Sequence, residues 1–223
     1  MSSLKIITTS DGSHSLLNEE LNETYHSVHG AVQESLHVFI QNGLHYFREK
    51  FMPKNISILE IGFGTGLNVL LAMQAAKQLP IPFQYTTLEA FPLEEKVWSE
   101  LNYADNLNLK NEFHMLHQVS WQEKHGILPT FQFQKQHIKL QDVILEPSSF
   151  DIIFFDAFAP SKQPELWEIN VLHKVTGALR KNGVFVTYCA KGQLKRDLKN
   201  LGLKVESLPG PPGKKEMVRA TKV

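Results

Sequence analysis

Cysteine is almost absent: Cys189 stands alone in 223 residues, which excludes an internal disulfide and any metal cage made only of thiolates. Long apolar runs are absent as well. The opening "MSSLKIITTSDGS" has neither the basic start nor the apolar stretch of a signal peptide, and no segment approaches the roughly 18 apolar residues of a membrane span. A soluble, cytoplasmic protein in a reducing compartment is expected. The ten histidines fall into no H-E-x-x-H or comparable ligand spacing, so no metal is expected. Net charge is also absent, but the zero hides an asymmetry. Residues 1–160 carry 10 Lys and Arg against 18 Asp and Glu, whereas residues 161–223 carry 13 against 5. Such a basic quarter is either a surface for phosphate groups or a set of solvated helix faces.

What is present reads as one globular unit with decorations. At 42% hydrophobic and 21% charged, residue usage is ordinary, and the length suffices for one substantial core. "GAVQESLHVFIQNGLHYFREKF" places Val32, Leu36, Phe39, Ile40, Leu44 and Phe47 at largely helical spacing, with a break expected near Asn42-Gly43. "NISILEI", a glycine loop and "GLNVLLAMQAAKQL" predict strand, turn and helix, closed by Pro80. "FQYTTLEAF" predicts a second strand, and "PLEEKVWSELNY" a helix with proline in its first turn. "FDIIFFDAFAP" is a continuous apolar run, the pattern of a central strand buried on both faces of a parallel sheet. "WEINVLHKVTGALRKNG" predicts an amphipathic helix with a glycine stop and "GVFVTYCA" a buried strand. "GQLKRDLKNLG" then predicts a helix, "LKVESL" a strand and "EMVRATK" an edge strand. Strands alternating with helices give an α/β fold with a doubly wound sheet, residues 51–223, preceded by an extension, residues 1–50.

The stretch "LEIGFGTGLN" brings backbone close to a ligand or to another segment. Gly62, Gly64 and Gly66 run G-x-G-x-G, not the G-x-G-x-x-G of the dinucleotide fingerprint, and Asn68 has no glycine role. No Gly-Lys-Ser/Thr follows, which excludes a P-loop. What remains is E-x-G-x-G-x-G, with Glu60 ending the strand, a carboxylate suited to a ligand with a positive amino group. The loop resembles motif I of class I S-adenosylmethionine-dependent methyltransferases; the other reading is a tight strand-to-helix connection. Glu89 ends the second strand, 23 residues after Gly66, where doubly wound nucleotide sites place an acid for ribose hydroxyls. Asp142 lies before the apolar strand, where methyltransferases commonly read the adenine amino group. Either acid is otherwise a solvated loop charge. Asp156 ends the apolar strand and so points into the crevice at the carboxyl end of the sheet, where a carboxylate with apolar neighbours is costly unless paired or used. Phe158 and Pro160 would add flat apolar walls.

"LEIGFGTGLN", "FFDAFAPSKQPELW" and "GPPGKKEMVRA", with "ETYHSVHGAVQESLHVFI" near the start, resemble the methyltransferase half of the MnmC-like tRNA modification family. The resemblance spans nearly the whole chain. It implies a Rossmann-like methyltransferase with S-adenosyl-L-methionine as cofactor, bound by Glu60, Gly62, Phe63, Gly64, Gly66, Asn68, Glu89 and Asp142. It also implies methyl transfer to the amino group of 5-aminomethyluridine, or its 2-thio form, at the tRNA wobble position. The flavin-dependent oxidase half of that family has no counterpart here, so no FAD and only the methylation step are expected. Asp156 would be catalytic, accepting a hydrogen bond from the amine and aiming it. Tyr25, Ser27, Glu34 and His37 would belong to a lid over cofactor and base, although His37 on an apolar helix face also reads as structural. Phe158, Trp167 and Phe63 are stacking candidates, with core packing as the other reading of each. Lys162, Lys191, Lys195, Arg196, Lys199, Lys214, Lys215 and Arg219 would meet the anticodon arm. Other functions open to the sequence are a small-molecule amine N-methyltransferase, an aminopropyltransferase and a non-catalytic RNA-binding module.

Overall fold

The computed structural model describes residues 4–223, apart from the side chain of Asn106. Successive side chains of a strand point to opposite faces, and β8, Phe150–Phe155, shows why its run is unbroken. Ile152 and Phe154 join the core on one face of the sheet, while Ile153 and Phe155 join the core on the other. The sheet has eight strands in the order β10-β11-β9-β8-β4-β5-β7-β6. These are β4 Ile56–Ile61, β5 Phe83–Glu89, β6 Lys124–Leu128, β7 Phe131–His137, β9 Leu179–Thr187, β10 Leu203–Pro209 and β11 Glu216–Lys222. β9, β8, β4, β5 and β7 run parallel, and β6, β11 and β10 pair antiparallel at the two sides. A smaller sheet, β1 Leu4–Thr8, β2 His14–Asn18 and β3 Glu23–Thr24, precedes it.

The helices are α1 Ala31–Ser35, α2 Tyr46–Phe51, α3 Leu67–Ala76, α4 Glu95–Trp98, α5 Tyr103–Leu107, α6 Lys110–Gln118, α7 Ile169–Gly177 and α8 Gly192–Asn200. α1 and α2 are joined without interruption by a π-helical stretch, Leu36–His45. This segment, α3 and α6 cover one face, and α7 and α8 cover the other. No helix among the described residues is long and apolar enough to cross a membrane.

Four sequence expectations need correction. Asn42-Gly43 does not break the helix: a Cβ on Gly43 would lie 3.0 Å from both Phe154 and Val186, so glycine is there for close approach of helix to sheet. The helix after β5 begins at Glu95 and lasts one turn, with Pro92 outside it. α7 ends at Gly177 instead of Gly183, because residues 179–183 already belong to β9. β11 is not an edge strand; it lies between β9 and β10, and its interior residues are buried.

Candidate active site

β4 has β5 on one side and β8 on the other, so the loops leaving these parallel strands diverge and leave a crevice at their carboxyl ends. A cleft of about 1590 Å³ opens there. The loops after β4, β5, β7 and β8 line it, together with residues from the segment 18–34 and with Gly213 and Lys214.

The glycine loop crosses the cleft in a conformation that side chains disfavour. Gly62, Gly64 and Gly66 have φ of 92°, 50° and 77°, and a Cβ on Gly62 would sit 2.9 Å from the Asp156 carbonyl oxygen. The N–H of Gly64 donates to Glu89 Oε2 at 2.9 Å, and that of Phe91 to Oε1 at 2.8 Å. Glu89 is thus aimed by backbone on both oxygens while still facing the cleft. Behind the loop, His26 Nε2 lies 2.8 Å from Thr65 Oγ1 and His117 Nε2 lies 3.2 Å from the Thr65 carbonyl oxygen. Burial pushes His26 down to about 4 and His117 down to about 3, so both are neutral.

Asp156 follows β8, and its N–H donates to the Ile61 carbonyl at 3.1 Å, tying the two loops together. Asn68 Nδ2, from the first turn of α3, donates to Asp156 Oδ2 at 2.8 Å. Burial, and then the neighbouring Glu34, raise Asp156 to about 7. Glu34 is buried; its Oε2 accepts from Ser27 N–H at 2.7 Å and its Oε1 pairs with Lys214. Lys214 Nζ also lies 3.7 Å from the centre of the Tyr188 ring, and Tyr188 O–H donates to the Ala157 carbonyl at 2.8 Å. Phe158 meets Tyr25 edge to face at 5.0 Å. The result is an aromatic-walled pocket lined by the Asp156 carboxyl and by the Glu34–Lys214 ion pair.

The cleft brings together twelve of the expected residues: Tyr25, Ser27, Glu34, Gly62, Phe63, Gly64, Asn68, Glu89, Asp142, Asp156, Phe158 and Lys214. It does not include Glu60, Gly66, Pro160, His37, Lys162, Trp167 or Lys215. Glu60 is wholly buried under the floor, and Gly66 is the N-cap of α3. His37 Nε2 lies 2.8 Å from the Pro209 carbonyl oxygen, which anchors the helix to β10. Trp167 packs on Phe155 and donates its indole N–H to the Phe158 carbonyl at 2.9 Å, so it supports Phe158 from outside the cleft. Among the cleft residues that the sequence does not announce are His26, Phe91, Ile138 and Tyr188. Tyr188 had a visible signal, since it follows the last residue of a buried parallel strand.

The basic quarter divides in two. Arg219 is buried, stacked 3.4 Å from the Tyr46 ring and paired with Glu206, which contradicts a contact with phosphate. Lys195 pairs with Glu216, and Arg196 bonds Gln193. Lys191, Lys199 and Lys215 are exposed.

A family model described as S-adenosyl-L-methionine-dependent methyltransferase matches residues 109–223. The tRNA 5-methylaminomethyl-2-thiouridine biosynthesis bifunctional protein MnmC of Nitrosospira multiformis is 30% identical over 92% of this chain and 35% of its own length. That of Leptospira interrogans is 31% identical over 91% of this chain and 33% of its own. The chain therefore spans about a third of these curated relatives. The crystal structure of MNMC2 from Aquifex aeolicus superposes with a TM-score of 0.81 at 26% identity, covering 99% of this chain and 70% of that one. Human methyltransferase-like protein 13 in complex with SAH shares the fold, with a TM-score of 0.52 at 14% identity over 86% and 82% of the two chains. With a glycine loop and strand-end acids around one cleft, and with more than half its length matched by the family model, the chain belongs to the S-adenosyl-L-methionine-dependent methyltransferase family.

Proposed function

We propose that the chain methylates the primary amine of 5-aminomethyluridine, or its 2-thio form, at the wobble position of tRNA. The names of the curated relatives point to this base, and Asp156 is the observation that carries the reading. S-adenosyl-L-methionine supplies, when bound, a methyl group on a cationic sulfur that is open to in-line attack. The residues present fit it: glycines 62 and 64 take the positive φ that carries the loop along the cleft, Glu89 offers a carboxylate to ribose hydroxyls, and Asp142 also lines the cleft.

An alkylamine of this type has a pKa of about 10 and arrives mostly as ammonium. Asp156, ionised above about 7, accepts its hydrogen bond, aims the nitrogen and takes a proton from it. Asn68 holds the carboxyl in place from the other side. Phe158, Tyr25 and Tyr188 offer faces and edges to a base drawn out of the anticodon loop, a single-stranded context in which stacking offsets the loss of neighbours. The segment 18–34 acts as the lid, contributing Tyr25, Ser27 and Glu34, and Lys191, Lys199 and Lys215 face the phosphates of the anticodon arm.

The test offers the protein labelled S-adenosyl-L-methionine and synthetic anticodon stem-loops that differ only at the wobble base. Label is expected in the aminomethyluridine stem-loop and in neither the plain uridine nor the carboxymethylaminomethyl one. Transfer to free small amines with none to the stem-loops would replace this reading with that of a small-molecule N-methyltransferase.

A further inference from the structure

Glu60 is the next-to-last residue of β4, two before Gly62, and strand alternation turns it to the same face as Ile58, toward α3. Its neighbours come from three directions. Thr87 lies directly opposite on β5, with Tyr85 two residues before it, Asn68 lies on α3, and Asp156 follows β8. Tyr85 and Asp156 are the titratable groups that face it, and no lysine, arginine or histidine acts on it. Glu60 is 0% exposed, and the polar groups within reach of its carboxyl, Thr87, Asn68 and Tyr85, are all uncharged. Thr87 Oγ1, Tyr85 OH and Asn68 Oδ1 are buried beside it and bond to no other group. A carboxylate anion in this place would have lost its water without gaining a counter-charge.

Asn68 ties this cluster to the cleft through its bond to Asp156. Two carboxyls coupled across one amide repel each other when both are ionised, so one of them retains a proton. Asp156 lines the cleft and Glu60 does not, which decides where the proton stays.

We propose that Glu60 is a positioning residue for Asp156: it remains an uncharged carboxylic acid beneath Asn68, so that Asp156 alone carries the negative charge of the pair and the Asn68 amide stays turned toward it. This replaces the sequence expectation of Glu60 as an anionic ligand for the cofactor's amino group. Burial is the largest cause raising each carboxyl above the ordinary carboxylate range, and the charge of Asp156 raises Glu60 further, in keeping with that order of ionisation. The positioning role rests on the reading of Asp156 given above, whereas the protonation of Glu60 stands without it.

The experiment uses the whole chain with Glu60→Gln, Glu60→Leu and Asp156→Asn. A group whose folded pKa is raised stabilises the fold fully below its unfolded value, 4.5, and loses that contribution as pH rises through about 8. The melting temperature of the wild type should therefore fall relative to Glu60→Gln as pH climbs through this window. Affinity for S-adenosyl-L-methionine should be unchanged in Glu60→Gln. Glu60→Leu should lower kcat and move the acid limb set by Asp156 away from about 7, with Glu60→Gln restoring both. An affinity loss of roughly tenfold or more in Glu60→Gln, as expected for a lost charged hydrogen bond, would overturn the proposal. Parallel melting curves, or an acid limb unmoved in Glu60→Leu, would overturn it as well. Should the variants fail to fold, carbon-13 titration of the wild-type glutamates decides: one carboxyl must titrate near 8, and none doing so refutes the claim. Full methyl transfer by Asp156→Asn would instead sink the functional reading while leaving the melting contrast intact.

Discussion

Asp156 sits where a carboxyl both meets the cleft and has lost most of its water, and its chemistry follows from that compromise. Asp156→Asn keeps the shape and the bond to Asn68 but removes the acceptor of a proton. It is expected to lower kcat by about 10²–10⁴-fold, leave cofactor affinity unchanged and abolish the acid limb near 7, as read from single-turnover rates against pH. Residual activity belongs to proximity, which the aromatic walls still supply. At the other end of the pH range, the folded chain keeps His26 and His117 neutral down to about 4 and 3, whereas unfolded imidazoles protonate near 6.5. The unfolded state then binds more protons, so stability falls as pH falls from 6.5 toward 4, and His117→Phe should flatten that slope in thermal melts. Asp156 was legible in the sequence because a charge interrupts an apolar strand at its carboxyl end. His26 and His117 were not, since a neutral buried histidine leaves no pattern of its own, and Glu60 carried the right residue type for a ligand at a position that strand alternation buries.

Between elements, the contact that spans the cleft joins the segment before α2 to the turn between β10 and β11. Glu34, Ser27 and Lys214 meet there under the Tyr188 ring, and a Cβ on Gly213 would overlap His29. Lys214→Ala strands a buried carboxylate, and a loss of about 1–3 kcal/mol is expected in chemical denaturation. No change would show Glu34 to be solvated. Elements with strong periodicity were legible: β4, α3, β5, β8 and α8 lie where the sequence puts them. Residues 103–148 yielded no elements, though β7 has an alternating pattern. Lys135 breaks it by occupying an inward position, its Nζ donating to the His117 carbonyl and lying 4.7 Å from the Trp121 ring. The three-stranded N-terminal sheet was hidden because its strands are at most five residues long and flanked by polar residues.

At the scale of the molecule, the acidic-to-basic division along the chain is real as a count but smaller as a surface. Arg219, Arg180 and Lys222 serve the fold, Arg180 through Asp151 and Lys222 through the carbonyls of Thr176, Gly177 and Leu179. Exposed Lys191, Lys199 and Lys215 carry the proposed contact with phosphate. Affinity for tRNA should therefore fall with salt, and each of these lysines changed to Ala should reduce the log–log slope by about 1 without abolishing methyl transfer. A salt-independent affinity would return them to the status of solvated charges. The measurement that bears most directly on the whole account is incubation with labelled S-adenosyl-L-methionine and bulk tRNA from cells unable to add the final wobble methyl group, followed by nucleoside analysis. Label is expected in methylaminomethyluridine or its 2-thio form; label in any other nucleoside, or none in tRNA despite cofactor binding, would contradict methylation of the wobble amine.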